Sequence, residues 1–134
     1  MEQKMRKLKI RGASLLASPP ENYLTRVYRT PLISIDETKE LAERIRQGGA
    51  EGERAQEQLA KAHLRFVVSI AKSYQDQGLS AADLIKAGNN ALYRAAGKYA
   101  QMSRDKEGYS FLAYAVWWIR QGIVQAVAKK KQSV

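Results

Sequence analysis

The amino-acid sequence predicts an all-α protein folded as a compact helical bundle, and three observations predict it. Apolar residues recur at three- and four-residue spacing in successive segments, which is the period of one helix face. Helix-start and helix-stop residues stand between those segments, among them Ser34, Gly48-Gly49, Gly78 and Ser80. No segment alternates apolar and polar residues convincingly as a strand would. A length of 134 residues is about one domain, enough to bury most of the apolar surface without staples.

Residues 1–18 carry no sustained period and read as a basic flexible arm. It ends at Ser18-Pro19-Pro20, where serine caps and proline opens a helix. In that short helix Tyr23, Leu24, Val27 and Tyr28 form two i, i+4 pairs, and Pro31 breaks it. Ser34 and Glu37 form a capping box for a second helix through Leu41, Ala42 and Ile45, closed by Gly48-Gly49. Residues 19–49 thus make one helical region. The main domain, residues 50–128, opens with a long helix from about Ala50 to Gln77, whose stripe is Leu59, Ala62, Phe66, Val67, Ile70 and Tyr74. Ser80 and Asp83 repeat the capping-box pattern before a helix carrying Leu84, Ile85, Leu92, Ala95, Ala96 and Tyr99. A polar loop from Ala100 to Gly108 precedes the last helix, and residues 129–134, opening with Lys129-Lys130-Lys131, read as a basic tail.

Lysine and arginine number 23 against 13 acids, a formal charge of +10 that favours a polyanionic partner such as DNA, RNA or an anionic membrane surface. The excess sits at the two ends, where each basic stretch reads equally well as a solubilising tail. Cysteine is absent, which fits a reducing compartment. No run of about 18 apolar residues could cross a membrane, and no signal peptide opens the chain, so a cytoplasmic protein is expected. Catalysis needs a constellation that the sequence lacks: one histidine, no glycine-rich phosphate loop, and no carboxylates at metal-ligand spacing. No catalytic residue, metal or cofactor is expected. Glu37, Glu40 and Glu43 share a helix with Lys39, Arg44 and Arg46 and read as a solvated, salt-bridged face. His63 reads as packed or singly hydrogen-bonded.

The stretch from Gly108 to Gln121 gathers five of the eleven aromatic residues, both tryptophans included. In a helix starting near Ser110, Phe111, Tyr114 and Trp118 fall at i, i+3 and i+7, and Trp117 and Gln121 at i and i+4. Such a face is either core or a platform for unstacked bases, and Arg104, Lys106 and Arg120 bracket it with cations that suit phosphates. Spacing alone favours core.

The segments His63-Leu-Arg-Phe-Val-Val-Ser-Ile-Ala-Lys-Ser-Tyr74, Gly78-Leu-Ser80, Asp83-Leu-Ile85 with Gly88-Asn89, and Tyr114-Ala-Val-Trp-Trp-Ile-Arg-Gln121 resemble bacterial RNA polymerase sigma factors of the primary type. The resemblance runs from about Asn22 to Ala128, and Met5-Arg-Lys-Leu-Lys-Ile10 also resembles the start of some primary members. It implies the family's promoter-melting domain two, with the helical region before it. That domain docks on a coiled coil of the largest subunit of core RNA polymerase and captures the melted non-template strand of the minus-ten promoter element. By the resemblance, Tyr114 stacks on a flipped adenine, Tyr109 and Phe111 line its pocket, and Trp117 and Trp118 wedge against the upstream duplex. Gln121 reads the adjoining base pair, His63 stands at a position that helps hold another captured base, and Arg120 contacts phosphate or balances local acids. The reversed odds for Tyr114, Trp117 and Trp118 come from this pattern. An inhibitory anti-sigma partner is a further possibility that the family brings.

The polymerase contact is expected on Asp83, Lys86, Ala87 and Asn89, and here the chain departs from the family. Where relatives read Asp-Leu-Ile-Gln-Glu-Gly-Asn, this sequence has Lys86 and Ala87, which removes an acid and adds a cation. The loop from Ala100 to Gly108 is about four residues longer than usual, and Glu107 stands where a base normally precedes the glycine. Ala113 replaces a threonine, and Val124 occupies a place where a polar base reader is common. Family members usually continue for one or two more helical domains, so a natural short paralogue, a gene remnant and a mobile-element protein all stay open. The expected function is a sigma-like initiation factor without covalent chemistry. Two alternatives stand beside it: a truncated decoy or regulator acting by protein contact without promoter opening, and a basic helical module binding nucleic acid without sequence preference.

Overall fold

The computed structural model describes residues 21–102 and 110–132. These form six helices and no strand: α1 Glu21–Arg29, α2 Ile35–Gln47, α3 Gly49–Lys61, α4 Leu64–Lys72, α5 Ala81–Ala100 and α6 Phe111–Gln132. The basic arm, the Ser18-Pro19-Pro20 cap and Tyr109 lie outside the described residues, as does most of the polar loop.

Local chemistry sets most boundaries. At the start of α2 the Ser34 hydroxyl accepts from the Glu37 amide at 3.0 Å, and the Glu37 carboxylate accepts from the Ser34 amide at 2.9 Å. Both halves of the capping box are therefore made. Ser34→Ala should cost about 1 kcal/mol, read as a fall in melting temperature of a few degrees. Gly48 ends α2 at φ 77°, a left-handed conformation that glycine adopts without a Cβ penalty. At α5 only one half of the expected box forms: the Ser80 hydroxyl accepts from the Asp83 amide at 3.1 Å.

The single long helix expected from Ala50 to Gln77 is two helices. The break falls at Ala62-His63, where the His63 amide donates to the carbonyl of Ala60 at 2.9 Å. The Leu59 carbonyl, which a continuing helix would give to that amide, accepts instead from the His63 ring nitrogen Nδ1 at 2.9 Å. A side chain that bonds the preceding turn competes with the backbone ladder. The end also comes earlier than Gln77. Ser73 and Tyr74 donate to carbonyls three residues back, and Asp76 at φ 70° turns the chain away. Splitting the helix lets α3 and α4 each pack on α5.

The α5–α6 pair is the most extensive packing in the fold, and the two run antiparallel: Gly88 meets Ile119 and Ile123, while Tyr99 meets Phe111 and Tyr114. The largest fully buried side chains of the fold are Leu59 on α3, Val67 on α4, Leu84 and Leu92 on α5, and Ile119 and Ile123 on α6. Small residues let the axes approach. A Cβ on Gly122 would stand 2.7 Å from the Ala91 Cβ, and one on Gly88 2.6 Å from Val67 Cγ1.

Two arginines tie α1 and α2 to the rest. Arg46 donates to the Ala100 carbonyl at the end of α5 at 2.8 Å while pairing with Glu43 at 2.6 Å. Arg65 donates to the carbonyls of Thr30 and Tyr28 just past and within the last turn of α1. Each guanidinium satisfies orphan carbonyls at a helix C-terminus, where the macrodipole favours a cation. Ion pairs Arg44–Glu40 and Arg46–Glu43 are as expected of the α2 face, but Arg46 also makes a tertiary bond that spacing on α2 does not reveal. The tail expected from residue 129 differs too, because α6 continues through Gln132 and its last turn carries Lys129, Lys130 and Lys131.

Candidate nucleic-acid interface

Helix α6 starts where Ser110 ends the loop: its hydroxyl accepts from the Ala113 amide at 3.3 Å, and its carbonyl from the Tyr114 amide at 3.2 Å. The inward stripe is Phe111, Ala115, Ile119, Ile123 and Val127, all buried. Steps of four residues overshoot the 3.6-residue turn, so the stripe winds slowly around the helix. The opposite side presents Ala113, Trp117, Arg120 and Val124, and the boundary between the two carries the half-buried Tyr114, Trp118 and Gln121.

The rings form one continuous ladder from core to solvent. Phe66 lies 6.0 Å from the His63 ring, and His63 lies edge-on to Phe111 at 4.8 Å. Phe111 meets Tyr99 at 5.0 Å, Tyr99 meets Tyr114 at 5.9 Å, and Tyr114 meets Trp118 at 6.1 Å. Trp118 then meets Trp117 at 6.2 Å and 82°, edge to face. Such spacings suit aromatic pairs and fix each ring by its neighbour. Trp117 stands at the outer end with 59% of its surface exposed, the most exposed ring of the ladder. Arg120 is exposed one turn further on. The ladder can therefore offer a rigid, partly desolvated face to a planar ligand, with a cation beside it.

The expected site residues divide by burial. Tyr114, Trp117, Trp118, Arg120 and Gln121 reach the surface, whereas Phe111 is core at 4% exposure and serves as a rung. Tyr109 lies outside the described residues, with Arg104, Lys106 and Glu107. His63 is 8% exposed and sits between Phe66 and Phe111, so it supports the ladder from inside. Tyr99 was legible only as part of an apolar stripe, yet it joins Phe111 to Tyr114 across the two helices; burial raises its phenol above the ordinary value.

Because a carbonyl can only accept, His63 carries its proton on Nδ1. Burial holds the imidazole below its ordinary value of 6.5, and the nearby Arg65 charge acts the same way, against the Leu59 bond that favours the cation. The folded state thus prefers neutral His63. Its contribution to stability is complete above the unfolded value and is lost as pH falls below it. Melting temperature should decline from about pH 7.5 to about pH 5.5, and His63→Asn should flatten that decline. An unchanged slope would remove His63 as its source.

On α5, Asp83 and Lys86 are exposed and Ala87 is half-buried, all available to a partner. Asn89 is not: at 7% exposure it faces inward on the stripe of Ile85 and Leu92. Its Oδ1 and the hydroxyl of Tyr23 on α1 are both buried, and the Asn89 side chain lies beside that phenol, opposing the rise in its pKa that burial causes. Asn89 therefore belongs to the packing of α1 against α5, not to the exposed face. Among the described residues no three potential metal ligands cluster, and no helix is long and apolar enough to cross a membrane.

Residues 59–133, more than half of the chain, match the family Sigma-70 region 2. The chain is 45% identical over 116 residues to the RNA polymerase sigma factor SigA of Lactococcus lactis subsp. cremoris, covering 87% of this chain and 31% of that protein. It is 42% identical to SigA of a Bacillus species and 40% identical to SigA of Clostridium acetobutylicum, each over 87% of this chain and 29% of the relative. The chain thus spans less than a third of the length of these curated relatives. By these matches, with which the all-helical frame agrees, the chain belongs to the Sigma-70 region 2 family.

Proposed function

We propose that the chain acts in transcription initiation as a sigma-like factor, binding core RNA polymerase and capturing the melted non-template strand of the minus-ten promoter element. The observation that carries this reading is the ring ladder that ends in a 59% exposed tryptophan beside the exposed Arg120. Tyr114, Trp117 and Trp118 stack on or wedge against bases, Gln121 reads a neighbouring base pair and Arg120 holds phosphate. Phe111 and Tyr99 position Tyr114, and by the family resemblance Tyr109 belongs to the same set. Flipping a base costs a few kcal/mol, and stacking returns about 1–3 kcal/mol per base, so a preformed ladder makes capture feasible. No bond is made or broken in this role, and the curated relatives are named RNA polymerase sigma factors.

Polymerase docking belongs to the exposed side of α5, through Asp83, Lys86 and Ala87. The half-buried Ala87 and the exposed Lys86 are also the observation that favours the alternative, a regulator that contacts a different protein and opens no promoter. Two measurements test the proposal. The purified protein should bind a single-stranded oligonucleotide of minus-ten non-template sequence more tightly than a scrambled one, at a fixed salt concentration. It should also bind core polymerase, and Lys86→Gln with Ala87→Glu should strengthen that binding if the altered charges weaken it. Equal affinity for both oligonucleotides, with no polymerase binding by either form, would sink the initiation reading.

A further inference from the structure

We propose that a groove where α1, α4 and α5 meet binds a small apolar anion of the aromatic carboxylate class. The groove shares no residue with the ring ladder or with the exposed residues Asp83 and Lys86 of α5, so it stands apart from the initiation reading.

Its walls are Leu24 of α1, Val68 and Ala71 of α4, and Leu84 and Ile85 of α5. Leu24 is half-buried and the other four are buried. α1 packs on α4 and meets α5 where Tyr23 lies beside Asn89, and Leu24 follows directly in the chain. The space among these side chains is about 150 Å³, about the volume of an apolar cavity that takes a benzene ring. Water against the five walls finds no polar side chain to bond, so it is poorly held and an apolar group displaces it. The polar lining residues are Lys72 and Gln75, both exposed, and they mark the solvent side.

Charge decides which apolar molecule fits. Lys72 is the only charged residue of the lining, and it pairs with no carboxylate among the described residues. The helix poles leave that sign in place. Lys72 ends α4 and Ala81 begins α5, so the half-charges of the two helix ends are opposite and offset each other. The lysine stem can lie along the apolar wall while its ammonium stays in water. A ring seated on the walls with its carboxylate toward Lys72 therefore buries no charge, which avoids the desolvation cost of a buried ion pair. A cationic head would meet a like charge at the same place.

The test titrates the full chain with benzoate, benzyl alcohol and benzylammonium at fixed salt and neutral pH, followed by NMR of the methyl groups. Benzoate should shift the methyl signals of Leu24, Val68 and Ile85. It should bind about two- to fivefold more tightly than benzyl alcohol, the difference that one exposed ion pair supplies, and benzylammonium should bind most weakly. Lys72→Gln should bring benzoate and benzyl alcohol to equal affinity. Ala81→Leu, which fills the groove from the half-buried first residue of α5, should abolish binding of all three. Its affinity for the minus-ten strand should stay within about twofold of the parent, because the two sites share no residue. If circular dichroism shows Ala81→Leu unfolded, the exposed Lys72→Gln change still decides the matter. No groove shift with any probe would overturn the proposal, as would shifts only at lysines outside the groove, which mean attraction to net charge. Equal affinity of the parent for all three probes would overturn the anionic class. Benzoate binding that emerges only in Leu15→Ser with Leu16→Ser would assign the groove to the chain's own first residues and overturn the small ligand.

Discussion

Gly122→Val should destabilise the protein by about 3 kcal/mol or more and lower its melting temperature by roughly 10 °C. A glycine inside a 22-residue helix costs about 1 kcal/mol of propensity against alanine, so it persists here for packing. The added Cβ would lie 2.7 Å from the Ala91 Cβ and 3.2 Å from the Ala87 carbonyl oxygen, both held by the α5 backbone. Neither neighbour is the flexible end of a long side chain, so the helices must separate. That separation propagates. Tyr99 on α5 is in ring contact with Phe111 and Tyr114 on α6, so pushing the axes apart loosens the ladder and should weaken single-strand binding as well. Gly122→Ala should show a smaller loss, and adding Ala91→Gly should recover part of it, because the pair shares one clash. Thermal melts of the four proteins decide the matter; equal stability of Gly122→Val and the parent would refute the close-approach account.

Trp117→Ala should do the reverse, leaving stability within about 0.5 kcal/mol and costing about 1–3 kcal/mol of single-strand affinity, roughly 5- to 150-fold. The indole is 59% exposed and touches the ladder only at its outer end, so truncation opens no cavity. Ile119→Ala is the matched contrast. Its side chain is 0% exposed, and its loss should cost about 2–5 kcal/mol of stability. Fluorescence anisotropy and a thermal melt on both variants give the comparison. A Trp117→Ala protein that melts normally and binds the minus-ten strand as tightly as the parent would remove Trp117 from the interface.

Much of the fold could be read before any coordinates, because helix boundaries depend on nearby residues. The Ser34–Glu37 box spans three residues and appears where the motif placed it. The proline after α1 and the glycines after α2 act in the same local way. The break at His63 was not legible, since the periodic stripe passes smoothly through it and a single ring-to-carbonyl bond diverts the backbone. Asn89 was assigned to an exposed face by motif, whereas its angular position beside Ile85 and Leu92 turns it toward Tyr23. The candidate site was legible in its composition: Tyr114, Trp117, Trp118 and Gln121 reach the surface together on α6. Its supports were not, because Tyr99 and His63 join the ladder only through the packing of α4 and α5 on α6.

By itself the sequence determined an all-α chain with its caps, its stops and a ring-rich last helix, because each of these follows from contacts three or four residues apart. Only the tertiary structure decided which rings are rungs and which is exposed, where Arg46 and Arg65 find their carbonyls, and that Asn89 turns inward. Those outcomes depend on partners 35 and 54 residues away for the arginines and on interhelical packing at Gly88 and Gly122 for the rings, and no local period records such distances.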